Sequence, residues 1–486
     1  MNRRSFIKRI SIVGMGTALN SWHCNSTTTK RNVLFIAVDD LRTNIGNYGD
    51  PIAITPHIDQ LALEGIQFNR AYCQQAVCNP SRASLMTGRR PDNIHVWDLE
   101  THFRNYMPDI VTLPQYFKKH GYFTQCIGKV YHDPEEAQDA VSWSVPEKLN
   151  VTTYKMKYAT EKNLSGGIIP PTSIWKHGPS VECADMPESA YVDGQVADQG
   201  MQALEQLKDR PFFLALGFRR PHLPFSCPKK YWDLYDRQHL AKPSNPDTPQ
   251  NVPALAIHRS GELRNYPDIP DKGPLSPEKT AELRHGYYAC VSFVDAQIGK
   301  VIQKLNELGL REKTTIVLWG DHGYHLGEQN LWCKTTNFEL DTHVPLIFSA
   351  PNQKQRGQKT DALVELIDIY PTLVELSGLP IPTGLDGKSM APLLSDSDRT
   401  WKKAVLSQFP KPWGYSWETG VMGYSLRTHR FRYNEWIDWK SGEVKARELY
   451  DHKVDPGETV NVAATSEYQK WIPELSKTLH KLVKKN

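Results

Sequence analysis

Cys78 and Arg82 stand four residues apart in QAVCNPSRASLMTGRR, residues 75–90. Asn79 is a helix-capping residue type, Pro80 suits a first helical position, and Gly88 suits a C-terminal cap. The spacing therefore predicts a helix that begins at this point and stops at Gly88. Its unsatisfied N–H groups and dipole favour an anion beside Cys78. Arg82, one turn on, shares that face and adds its charge at the same place. Two acids, Asp39-Asp40, directly follow the apolar run Asn32–Val38, and Asp321-His322 follows another such run, TTIVLW. Carboxylates at the ends of buried strands are where α/β sheets put ligand-binding groups, and three hard oxygen donors favour calcium or magnesium. Lys129 and His132, in GKVYH, lie just past a third apolar run. His222, in RRPHLPF, sits between two prolines that stiffen its loop.

These residues need elements to hold them. Buried strands are predicted over Asn32–Val38 and residues 122–127, 211–218, 314–319 and 344–349. Helices are predicted after Thr55-Pro56, with Ile58, Leu61, Ala62 and Ile66 on one face, and over residues 113–120, 190–207, 276–308 and 367–376. Residues 133–185 are polar and weakly periodic and read as a rim insertion. Residues 242–277 read as a proline-punctuated loop. Strands alternate with helices up to about residue 395, the pattern of an α/β domain. Beyond it, VLSQFP, GYSLRTHRFRYNEW and ELYD predict a small antiparallel sheet, closed by a helix over residues 466–482. Its aromatic residues Trp413, Tyr415, Trp417, Trp436 and Trp439 read as core filling more readily than as a sugar platform.

A chain of 486 residues needs more than one small core, and its 39% hydrophobic and 23% charged content is that of a folded enzyme. A net charge of +4 with no basic, aromatic-flanked tract excludes a nucleic-acid footprint. The basic residues Arg3, Arg4, Lys8 and Arg9 before a short apolar stretch predict an export signal over residues 1–24 and a periplasmic destination. RRSFIK is similar to a twin-arginine signal, with a general secretory signal as the alternative. Cys24 offers a lipidation site, but SWH before it is a poor match to the small residues that lipidation requires, which favours cleavage and release. No other stretch reads as a transmembrane span. The eight cysteines contain no C-x-x-C pair, which weakens zinc-ribbon and thioredoxin readings.

The pattern C-x-P-S-R, with ASLMTGR behind it, resembles the signature of type I sulfatases, whose cysteine is oxidised before folding to the aldehyde formylglycine. AVDDLR, TGRRPDN, GKVYH, RRPHLPF, GDHGY, the WCKTTNFELDTHVPL block, DIYPTLVELSGL and ELYD extend that resemblance over most of the chain, toward the iduronate-2-sulfatase branch. It implies an alkaline-phosphatase-like α/β fold with a large mixed sheet flanked by helices over residues 31–395. A small C-terminal antiparallel sheet with a helix would follow over residues 396–486. It also implies a Ca2+ site on Asp39, Asp40, Asp321 and an oxygen of modified Cys78. The family's usual fourth side chain is Asn; here His322 takes that position, as in the iduronate branch.

Formylglycine at position 78 would be hydrated to a diol. One hydroxyl attacks sulfur and the substrate alcohol leaves; the second then loses its proton and expels sulfate, restoring the aldehyde. Arg82 would order the diol, Lys129 would neutralise sulfate oxygens, and His132 would act as base. His222 and Lys334 would reach the sulfate and the leaving oxygen. The implied partners are a sulfated oligosaccharide and a formylglycine-generating or sulfatase-maturating enzyme. The expected substrate is a uronic acid 2-O-sulfate from a glycosaminoglycan or ulvan-type polysaccharide, with Arg89-Arg90 and the 133–185 insertion as the features that read the acidic sugar. A phosphomonoester or phosphonate hydrolase of the same superfamily and a non-catalytic glycan-binding relative are the competing readings. The first is disfavoured by C-x-P-S-R and the second by the retention of Cys78 and every metal acid.

Overall fold

The computed structural model describes residues 30–132, 138–148, 178–413 and 420–484. The export segment with Cys24, most of the 133–185 insertion, and Tyr415 and Trp417 lie outside the described residues.

Seven strands form the central sheet: β1 (Asn32–Val38), β2 (Ile66–Phe68), β3 (Phe123–Gly128), β4 (Phe212–Phe218), β5 (Thr314–Gly320), β6 (Leu346–Ser349) and β7 (Gln358–Thr360). Their spatial order is β7-β2-β6-β5-β1-β4-β3. β5, β1, β4 and β3 are mutually parallel, while β6 runs antiparallel to both β5 and β2. The sheet is therefore mixed, with four adjacent parallel strands sharing one carboxyl edge.

Apolar runs with no polar alternation are what a sheet covered on both faces requires. In β1, Leu34, Ile36 and Val38 pack with α1 (Pro56–Leu63), α4 (Val192–Leu207) and α5 (Pro277–Glu307). Val33, Phe35 and Ala37 pack on the other face with α2 (Cys78–Thr87), α3 (Leu113–Lys119) and α6 (Ile369–Leu376). The expected one or two helices over 276–308 are a single helix of 31 residues, begun by Ser276, whose hydroxyl accepts from Lys279 N.

A second, four-stranded antiparallel sheet follows, made of β8 (Ala404–Lys411), β9 (Val421–Thr428), β10 (Phe431–Asp438) and β11 (Val444–Asp451) in chain order. Its last helix, α7 (Ile472–Val483), is shorter than the expected 466–482. A 3-10 turn precedes it, and Pro473 suits its start. Leu475 and Leu479 of α7 pack on Leu426 and Tyr433 of the sheet. Trp436 is fully buried and donates its indole N–H to Glu448, 2.6 Å, as a core-filling residue should.

Ion pairs tie the small sheet to Glu339 and Glu458, which lie outside both sheets. Glu339 accepts from Arg427 and Arg432, and Arg432 also donates to Glu458, 2.7 Å. Arg90 pairs with Glu365 at 2.7 Å and Arg89 faces Asp386 at 3.8 Å. The expectation that these two arginines read an acidic sugar is corrected for Arg90, which is buried on Glu365; Arg89 is partly exposed and its contact to Asp386 is long.

Candidate active site

The carboxyl edge of β5-β1-β4-β3 collects the predicted groups. Asp321 and His322 follow β5, Asp39 and Asp40 follow β1, His222 follows β4, and Lys129 and His132 follow β3. Asp39, Asp40, Asp321 and His322 are all fully buried. Asp40 has φ of 58°, a left-handed conformation uncommon outside glycine, and its N–H donates to Asp321 Oδ1, 3.0 Å. Lys129 can turn in from its strand because Gly128 precedes it at φ of 81° and Gly217 faces it. A Cβ at Gly217 would lie 2.1 Å from the Lys129 carbonyl oxygen.

Cys78 is the first residue of α2, and Val77 is its N-cap with no side-chain capping bond. The expected cap, Asn79, instead donates its side-chain amide to the carbonyls of Asp98 and Thr101, 3.0 and 2.9 Å, fastening the next loop. Gly88 ends the helix in the left-handed conformation as expected, at φ of 67°. Arg82 is completely buried. Its Nε donates to Asp321 Oδ2, 2.9 Å, and its Nη2 to Asp39 Oδ1, 3.1 Å. Its Nη1 donates to the carbonyls of Lys129 and Val130, 2.6 and 3.0 Å. One side chain thus ties the ends of β5, β1 and β3 to the nucleophile helix.

The Cys78 sulfur lies 3.4 Å from Asp39 Oδ1, 3.3 Å from His322 Nε2 and 3.6 Å from Lys129 Nζ. Burial, then the charge of Asp39, pushes its thiol well above the ordinary range, so the unmodified sulfur is a poor nucleophile. Burial works against the charged form of Asp39, but Lys129 at 2.6 Å, with Arg82, holds it well below the usual carboxylate range. Asp40 goes the other way. Burial, reinforced by Asp39, Glu262 and Asp321, raises it despite Lys334.

These observations test whether a cation fits. His322 Nδ1 faces the Gly323 carbonyl at 2.9 Å and must carry a proton there. Burial lowers its pKa, so Nε2 presents a lone pair. That lone pair faces Asp40 Oδ1 at 3.3 Å and Asp321 Oδ2 at 3.6 Å. A lone pair among carboxylate oxygens is repulsive unless a proton or a positive ion lies between them. Asp40, too, lacks enough positive charge to ionise readily. Asp39, Asp321, His322 and Cys78 offer donor atoms within 4.8 Å of one another, so the donor set fits a divalent ion.

Lys334 Nζ donates to both Asp40 oxygens at 3.0 Å and to Glu262 Oε1 at 2.8 Å. His222 Nε2 lies 3.3 Å from the same Glu262 oxygen and 4.0 Å from Asp40 Oδ2. Its Nδ1 faces the Leu223 carbonyl, 2.6 Å. Burial, then Lys334, keeps His222 well below the usual imidazole range. His132 is likewise depressed by burial and then by Lys129, and its buried Nδ1 has no hydrogen-bond partner among the described residues. Sequence reasoning missed Glu262. It lies inside the proline-punctuated loop, where no periodicity marks it.

Comparisons with known proteins agree with this geometry. The family model described as Sulfatase matches residues 31–379, and one described as N-sulphoglucosamine sulphohydrolase, C-terminal, matches residues 327–485. The chain is 33% identical to iduronate 2-sulfatase of Homo sapiens over 89% of its own length and 91% of that protein. It is 32% identical to a sulfatase of Formosa agariphila, covering 93% of this chain and 87% of the relative. Among solved structures, the phosphonate monoester hydrolase of Agrobacterium radiobacter superposes with a TM-score of 0.78 at 22% identity. That match covers 94% of this chain and 96% of the other, and it shows the alkaline-phosphatase-like fold.

Proposed function

The chain belongs to the sulfatase family and is a sulfuric ester hydrolase, and from that premise we propose that it removes the 2-O-sulfate of a uronic acid unit in a sulfated polysaccharide, after export to the periplasm. The observation that carries the reading is the convergence of Cys78, three carboxylates and the cations Arg82, Lys129 and Lys334 on one sheet edge. The likeness to iduronate 2-sulfatase supports the 2-O-uronate assignment, and RRSFIK supports export. The catalytic unit is proposed to span residues 31–395, with residues 396–486 as a smaller C-terminal unit.

Oxidised to formylglycine and hydrated to the diol, Cys78 would supply the hydroxyl that attacks sulfur. Calcium held by Asp39, Asp40, Asp321, His322 and the modified side chain would supply positive charge to the sulfate oxygens. Everything else falls to ordinary side chains. Arg82 fixes Asp39 and Asp321 in place. Lys129, close to Sγ and fully buried, neutralises a sulfate oxygen where water cannot screen the interaction. Burial keeps His132 neutral and able to accept the proton whose loss expels sulfate. Lys334 and His222, joined through Glu262, stand on the leaving-group side. One of them delivers the proton to the departing alcohol oxygen.

The test is kcat/KM for a uronic acid 2-sulfate, its neutral hexose counterpart and the matching phosphate ester. Preference for the first supports the whole reading. Equal rates on the two sulfates remove the uronate and leave the sulfatase. Preference for the phosphate ester overturns the assignment to sulfate.

A further inference from the structure

Lys129 and Lys334 are buried and Lys402 and Lys411 partly so; the first three sit on carboxylates. Lys129 lies 2.6 Å from Asp39, Lys334 2.8 Å from Glu262, and Lys402 2.7 Å from Glu365 and from Asp368. Lys411, the last residue of β8, is different. Its ammonium touches the Ile257 carbonyl at 3.5 Å and lies 5.3 Å from the centre of the Phe409 ring, with no carboxylate in ion-pair range among the described residues. Burial pulls it down to about 8, against the more distant charges of Asp341 and Glu448. A partly desolvated cation without a counter-charge is open to pairing with a ligand that supplies one.

A second unpaired group stands next to that contact. His258 Nδ1 accepts from Ser260 N, 2.8 Å, so the ring proton must be on Nε2. Burial, then Lys411, lowers its pKa to about 3, and the neutral ring therefore presents Nε2–H as a donor. That Nε2 is buried beside the Lys334 backbone, with no acceptor in good hydrogen-bond geometry among the described residues. The loop carrying it is tied to the reaction site at two points. Ser260 Oγ accepts from Trp332 N, 3.0 Å, two residues before Lys334, and Glu262 binds both Lys334 and His222.

We propose that Lys411 and His258 form the subsite that takes the carboxylate of the sugar, beside the leaving-group residues Lys334 and His222. This rests on the uronate reading above and names the residues that would enforce it. One ammonium and one neutral N–H suit a monoanion with two oxygens. A charge-assisted hydrogen bond to a desolvated cation discriminates strongly, because a neutral sugar leaves the cation unpaired.

The experiment compares wild type, Lys411→Met, Lys411→Arg and His258→Phe on three substrates: a uronic acid 2-sulfate, the neutral hexose 2-sulfate, and that hexose carrying a second sulfate at carbon 6. Circular dichroism and unfolding midpoints check that each variant is folded. The expected wild-type preference for the uronate over the neutral sugar is about 10- to 100-fold, the range for a hydrogen bond to a charged group. In Lys411→Met that ratio should fall close to one, with the loss in KM. Lys411→Arg should retain most of it, and His258→Phe should lose part. A wild-type preference that survives in folded Lys411→Met overturns the subsite while leaving the uronate reading intact. A wild type with no preference overturns both. A preference for the disulfated hexose over the uronate, abolished by Lys411→Met, overturns the carboxylate assignment in favour of a second sulfate.

Discussion

Replacing Arg82 with Lys tests how the site is held together. The guanidinium makes four hydrogen bonds: to Asp321, to Asp39 and to the carbonyls of Lys129 and Val130. A lysine keeps the charge, but a compact ammonium cannot span two carboxylates and two carbonyls at once. One buried carboxylate then loses its partner, at about 3–5 kcal/mol. Each orphaned carbonyl adds about 1–3 kcal/mol unless water reaches it. With water reaching both carbonyls the loss is near 4 kcal/mol, which against a total stability of about 5–15 kcal/mol leaves a folded but weakened protein. With an m-value of about 3 kcal/mol/M or more for a chain of this size, the urea midpoint should fall by about 1 M. The loss should be largest without metal, because Asp39, Asp40 and Asp321 then face one another with less positive charge between them. Saturating calcium should restore part of it. A metal-free Arg82→Lys protein within about 1 kcal/mol of wild type would refute the view that this residue ties the three strand ends together.

Other expectations follow from individual groups. Chelation should abolish sulfate release and lower the unfolding temperature, and calcium should restore both; restoration by zinc alone would contradict the hard-donor assignment. Lys129→Met should lower kcat about 100- to 1000-fold, the range for losing one donor to developing charge, and a loss confined to KM would remove its role at the sulfate. Asp295 caps α1 through His57 N and Ile58 N, and burial raises its pKa to about 7. The folded state keeps that proton longer than the unfolded one, so the stability it brings is full below about 4 and is lost as pH rises through 7. Asp295→Asn keeps the acceptor without the charge. It should therefore melt higher than wild type at pH 8 and not at pH 5; equal melting differences at both pH values would contradict the shift.

Much of the site was legible because its chemistry is local. Apolar runs ending in acids mark β1 and β5, and parallel strands bring their carboxyl ends together, so Asp39, Asp40, Asp321 and His322 meet as expected. The C-x-P-S-R helix is bounded within one short segment, with Pro80 in its first turn and Gly88 at its end. What could not be read depends on contacts between distant segments. Asn79 serves the 98–101 loop rather than its own helix, and Arg90 turns to Glu365. Glu262 and His258 lie in a loop without periodicity and gain meaning only when Lys334, His222 and Lys411 come beside them. Lys411 itself reads as an ordinary strand-end lysine until its missing counter-charge is seen.

The central claim is that catalysis resides in an oxidised Cys78. Trypsin should release residues 71–82 as one peptide, bounded by Arg70 and Arg82, which carries both Cys73 and Cys78. Its mass reports the fraction of chains whose position 78 is an aldehyde. In preparations made with graded amounts of a formylglycine-generating enzyme, the rate of sulfate release should rise in proportion to that fraction and extrapolate to zero with it. A full rate from protein that carries only the thiol at Cys78 would contradict the account.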